Sequence, residues 1–147
     1  MPRTYHGLGL QFLYPENWRV DESEALSVTL ETPEGAFLSI TRLPDASHFE
    51  SAMAQIRRAM EAEYEGIESE PLQKSFGAHT ADGFTQRFFY LDLLVTSHVL
   101  SIARDHQAWV LHYQAEDRDM EALGRVFDAI VAQIVDPSAA SPQPPEH

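Results

Sequence analysis

The stretch from Gly83 to Gln114, GFTQRFFYLDLLVTSHVLSIARDHQAWVLHYQ, is apolar and crowded with Val, Ile, Thr, Phe, Tyr and Trp, and from Leu100 on its apolar and polar positions alternate. Such side chains fit a pleated, half-buried surface, so the stretch predicts the spine of an antiparallel sheet. Leu100, Ile102 and Arg104 fall on one face with Trp109, Leu111 and Tyr113; Ser101, Ala103, Val110, His112 and Gln114 fall on the other. With His106 and Gln107 as the tip of the connecting turn, Arg104 is expected opposite Trp109, Ile102 opposite Leu111, Leu100 opposite Tyr113 and Ser101 opposite His112. Pattern alone does not place the earlier turn within Phe88 to Val95, before Ser97; Asp92 is the candidate for it.

The flanking segments complete an α+β pattern. Residues 5–14 alternate Leu8, Leu10 and Phe12 against Gly7, Gly9 and Gln11 and read as a first strand ending at Pro15. A turn at Glu16-Asn17-Trp18 drops the indole back onto the sheet. Residues 25–31 and 36–42 form a hairpin around Thr32-Pro33-Glu34-Gly35, with Leu26, Val28, Leu30, Leu38 and Ile40 on its apolar face. Ser47-His48-Phe49-Glu50 fits a capping box that opens a helix with Phe49, Met53, Ile56, Met60 and Tyr64 at helical spacing. Residues 71–78 read as a weak strand, and residues 79–83 as a turn.

Asp117 then caps a second helix over residues 118–135, with Met120, Leu123, Phe127, Ile130 and Ile134 as its buried stripe. Gly124 inside it suggests a close approach to the sheet. The expectation is one domain over residues 1–136: a single antiparallel sheet of about six to seven strands with two amphipathic helices. Residues 137–147, a Pro- and Ser-containing tail, are expected to be disordered.

Charge narrows the function classes. The 147 residues carry 23 acidic and 10 basic side chains, a net charge of -13. With no Lys/Arg stripe to neutralise phosphates, a nucleic-acid partner is not expected. No apolar run reaches the ~20 residues of a membrane span, and neither a signal-peptide pattern nor a cysteine is present, so a cytoplasmic protein without membrane insertion is expected. The acidic run Glu61, Glu63, Glu65, Glu68 and Glu70 reads as a solvated surface or a docking site for a basic partner.

Sequence patterns that demand particular residues at particular spacings are missing. There is no H-E-x-x-H, no G-x-S-x-G and no Walker loop, and Gly7-Leu8-Gly9 lacks the third glycine and following helix of a dinucleotide site. Neither a cofactor nor a metal is expected: His98 and His112 sit on neighbouring strands but face opposite sides. Ser101 and His112 would form two thirds of a nucleophilic triad, with no acid nearby to complete it.

A surface remains. Both helices are expected on the uniformly apolar face, leaving the other face uncovered with its small, hydroxylated and aromatic side chains. Phe37, Thr41, Ser101, His112 and Gln114 are the candidate binding residues there, for an apolar or basic segment of a protein partner or for a second copy of the chain. The alternative is a small-ligand site or an unrecognised enzyme around Ser101 and His112.

The segment Leu13-Tyr14-Pro15-Glu16-Asn17-Trp18, the hairpin VTLETPEGAFLSITRLP, a helix, the long meander with Gly83 near its start and the closing amphipathic helix together resemble the PsbP-like and DcrB-like α/β/α proteins over residues 5–135. That resemblance implies a non-enzymatic module. Its members include photosystem II extrinsic subunits, Ran-binding factors and the effector-associated chaperones of type VI secretion, the last being similar in size and acidity. No catalytic residues carry over from it, and a secretion-effector chaperone or adaptor is the role it implies best.

Overall fold

In the computed structural model, which describes residues 1–137, nine strands and two long helices follow one another in the order of the chain. Strands β1 (Arg3–Gly7) and β2 (Leu10–Tyr14) pair only with each other. The remaining strands are β3 (Arg19–Asp21), β4 (Ser27–Glu31), β5 (Phe37–Leu43), β6 (Glu68–Phe76), β7 (His79–Tyr90), β8 (Leu93–Arg104) and β9 (Gln107–Glu116). They form one antiparallel sheet in the order β3-β4-β5-β9-β8-β7-β6. Helix α1 (Phe49–Glu63) links β5 to β6, and α2 (Asp117–Val135) closes the described chain. Neither helix is long and apolar enough to cross a membrane. Residues 138–147, most of the tail expected to be disordered, lie outside the described residues.

The α+β expectation holds, and the first face is built as its pattern implies. Val28, Leu30, Leu38, Ile40, Leu100, Trp109, Leu111 and Tyr113 are fully buried there, under Phe127, Ile130, Val131 and Ile134 of α2. Asp117 does not cap α2: Glu116 holds the N-cap position, and Asp117 accepts from the Thr96 hydroxyl at 2.7 Å, while Asp117 and Asp119 place negative charge on the first turn, the sign its dipole favours. The Pro15 carbonyl accepts from the Trp18 N–H at 3.1 Å, folding the indole to within 5.4 Å of the Phe127 ring.

Several expectations require correction. Residues 5–14 are a hairpin, not one strand: Leu8 (φ 57°) and Gly9 (φ 75°) turn the chain, because the alternation of apolar residues runs on through the turn and hides it. Its edge is closed by an unusual pair of bonds: the Gln133 amide accepts from the Leu13 N–H at 2.8 Å and donates to the Leu13 carbonyl at 3.2 Å. Trp109 Nε1 donates to the Leu8 carbonyl at 2.9 Å.

Residues 79–83 belong to β7, not to a turn. Leu26 is not core; it has φ 61° at the entry to β4 and is 60% exposed. The β8–β9 turn is Asp105-His106, both left-handed, so Ile102 pairs with Trp109 and Leu100 with Leu111. That is a shift of two residues from the expected register, which preserves the faces while changing every partner.

The capping box does not form. Asp45 instead accepts from the Ser47 N–H at 2.9 Å and opens a short 3-10 turn, Ala46–His48, ahead of α1. Gly124 meets only Met120 of its own helix, at 3.7 Å; the close approach is at Gly83, where an added Cβ would fall 1.7 Å from the Val99 carbonyl oxygen.

The largest correction concerns α1, which lies on the second face. Phe49, Ala52, Met53 and Ile56 pack over Phe84, Val99 and Val110, and the Arg57 guanidinium lies 4.2 Å from the centre of the Phe84 ring. Three apolar residues from three strands make this footprint. The sheet therefore has a helix on each side, and the second face is open only in part.

Candidate functional site

Strand register arranges the second face in rows. One row runs Glu31, Phe37, Gln114, Ser97, Gln86, Ser69; the next runs Thr29, Ser39, His112, Val99, Phe84, Pro71; the third runs Ser27, Thr41, Val110, Ser101, Asp82, Gln73. Helix α1 covers these rows over β7, β8 and β9 around Phe84, Val99 and Val110, while Asp82 stays exposed. Its packing cluster takes in Leu43 from β5 and, among the described residues, nothing from β3 or β4. Ser27, Thr29, Ser39 and Thr41 are therefore half-buried by their neighbours alone. Their hydroxyls pair across the strands, Ser27 with Thr41 and Thr29 with Ser39, each at 3.2 Å.

Of the five candidate binding residues, Phe37, His112 and Gln114 come together. Phe37 and Gln114 are cross-strand partners, and the Phe37 ring stands edge-on to His112 at 5.2 Å. The Gln114 side chain reaches the Tyr64 hydroxyl beyond the end of α1. Thr41 lies further along β5, bonded to Ser27.

Ser101 does not join them. It stands opposite Val110, and its hydroxyl donates to the Asp82 carbonyl at 3.0 Å. The Ser101–His112 pair is thus overturned by the two-residue shift in register. His112 Nε2 is instead 2.6 Å from the Ser97 hydroxyl, a group with no exposure to solvent.

Electrostatics fit a structural role for that pair. Burial pushes the His112 imidazole down to about 4, so it is neutral at pH 7. His98, on the opposite face, is also held at about 4, by burial first and then by Lys74 and Arg87, and it bonds Thr85 Oγ1 at 2.8 Å. Among the described residues no carboxylate is hydrogen-bonded to either ring. Gln86 Oε1 and Gln114 Oε1 are buried in the polar row without a partner among the described residues. Among the described residues no cluster of three His, Asp or Glu side chains could hold a metal.

A second exposed feature escaped the reading of the sequence. The β7–β8 hairpin turns through Leu91 (φ 50°) and Asp92 (φ 68°), so the Asp92 placement was sound. What was missed is its surface: Phe89 is 68% exposed, Tyr90 52%, Leu91 77% and Leu93 42%. The apolar run on both sides of Asp92 was the available signal. Elsewhere, Leu13, Tyr14, Pro15, Val126 and Ile130 line a groove of about 460 Å³ beside α2.

No family model matches the chain, and no curated protein matches it in sequence. Solved structures do match. The cyanobacterial PsbP (CyanoP) of Synechocystis sp. PCC 6803 aligns with a TM-score of 0.58 at 11% identity, over 89% of each chain. A protein of Bacteroides thetaiotaomicron VPI-5482 aligns with a TM-score of 0.56 at 14% identity, over 83% of this chain; the chain spans 42% of that protein's length. At such identities the likeness concerns architecture. The chain has the PsbP-like α+β fold.

Proposed function

We propose that this protein is a non-enzymatic interaction module, a chaperone or adaptor of the secretion-effector type, which holds a partner segment on the uncovered part of its second sheet face. The observation that carries this reading is the contact of Phe37 with His112 and Gln114 at the border between covered and open sheet. An aromatic ring there, next to the hydroxyl rows of β4 and β5, offers apolar area with polar groups at its margin. That combination suits a protein segment better than a compact metabolite. The buried, neutral His112 and the enclosed Ser97 do not favour a catalytic reading.

The experiment places a photo-crosslinking residue at position 41 and compares capture from extracts of the native host by the wild type, Phe37→Glu and Thr41→Glu. Both positions are half-buried on the uncovered part of the face, so each carboxylate can still reach water in the free protein, and both variants should remain folded with a cooperative melt. A carboxylate buried unpaired under a partner costs several kcal/mol, so both should lose the crosslinked partner. Equal capture by all three proteins would overturn the proposal.

A further inference from the structure

The exposed apolar tip of the β7–β8 hairpin lies on a different surface and makes a separate case. Phe89, Tyr90, Leu91 and Leu93 are four of the six large apolar residues exposed among the described residues. Turn geometry does not demand them. The Asp105-His106 turn at the other end of β8 uses the same pair of left-handed residues and is polar. Leucine rarely takes a positive φ, so Leu91 is displayed at the expense of the free protein's stability.

The tip is also firmly based. Tyr64, just beyond the last turn of α1, stacks on Phe88 at 4.2 Å and meets Tyr90 edge-on at 5.7 Å. This contact brings the acidic run beside the hairpin. Glu61, Glu63, Glu65 and Glu68 are exposed, and among the described residues no cation pairs with them. Arg87 is taken by Glu70 at 2.9 Å and Arg118 by Glu116 at 3.1 Å. Glu61 and Glu63 also oppose the dipole at the C-terminal end of α1.

We propose that this hairpin tip is a docking site for a polypeptide segment that combines large apolar side chains with flanking Lys or Arg. Charge complementarity selects that occupant: the apolar side chains fill the tip, and the cations meet the unpaired glutamates. An anionic bilayer is disfavoured by the same glutamates.

Two synthetic amphipathic peptides of equal length and leucine content, one Lys/Leu and one Glu/Leu, test it by fluorescence anisotropy. The Lys/Leu peptide should bind saturably and weaken with added salt. Its affinity should fall by about tenfold or more in Leu91→Ser/Leu93→Ser, and also in Glu61→Gln/Glu63→Gln/Glu65→Gln, with both variants melting as the wild type does. Equal binding of the two peptides, or no loss in either variant, would overturn the proposal. So would tighter binding to phosphatidylcholine or phosphatidylserine vesicles than to the peptide, or a tip-dependent dimer in sedimentation, since each assigns the tip another occupant.

Discussion

His112 and Ser97 are joined by a 2.6 Å hydrogen bond from two strands whose direct partners lie elsewhere, His112 opposite Val99 and Ser97 opposite Gln114. The bond is diagonal and sits where α1 meets the sheet, joining the row of His112 and Val99 to the row of Ser97, Gln86 and Gln114. Burial, rather than this bond, keeps the ring neutral in the fold and makes the fold sensitive to acid.

Stability should therefore fall as pH drops below 6.5. His112 and His98 have an ordinary value of 6.5 when unfolded and about 4 when folded. Between these values the unfolded chain binds protons that the folded chain does not, so stability rises with pH and is complete above 6.5. The loss on reaching pH 4 is on the order of 1 to 3 kcal/mol per ring. Thermal melts from pH 7.5 to 4.5 should show a steeper decline for the wild type than for His112→Gln; parallel curves would mean the ring titrates normally in the fold.

Gly83→Ala should destabilise strongly. The new methyl would collide with the Val99 carbonyl oxygen, a backbone atom that cannot swing aside. The expected cost is about 3 kcal/mol or more, the upper end for overpacking. Urea unfolding decides this, and a change below ~0.5 kcal/mol would place the two strands further apart than described.

Gln133→Ala removes both bonds to Leu13 and leaves the edge of β2 unpaired. A loss of roughly 1 to 3 kcal/mol is expected, together with faster amide exchange at Leu13. Unaltered exchange there would show that the edge is protected by another group.

Leu111→Ala and Leu26→Ser test the assignment of faces. Leu111 has no exposure under α2 and should cost about 2 to 5 kcal/mol, whereas Leu26 is 60% exposed and should change stability by about 0.5 kcal/mol or less. The reverse order in denaturant melts would contradict the packing of the hairpin.

The first face was legible because its residues repeat every second position along each strand, a signal that local pattern carries. The second face was not. Phe84, Val99 and Val110 are single apolar residues on three strands, and only the register brings them together beneath α1. The Ser101–His112 expectation failed for a related reason: a turn moved by one residue shifts cross-strand partners by two while leaving the faces intact. The Leu8-Gly9 turn was hidden because an apolar residue occupies a left-handed position where Asn or Gly is the usual marker.

The fastenings of the β1–β2 hairpin set a timetable for synthesis. Leu8 is held by Trp109, 101 residues further on, and Leu13 by Gln133, 120 residues further on. At about 5 to 20 residues per second on the ribosome, the hairpin's final partner follows roughly 6 to 24 s behind it. Phe12 and Tyr14 are thus made early and find their permanent neighbours last. A chain interrupted within α2 would keep these aromatic side chains without the helix that completes their core.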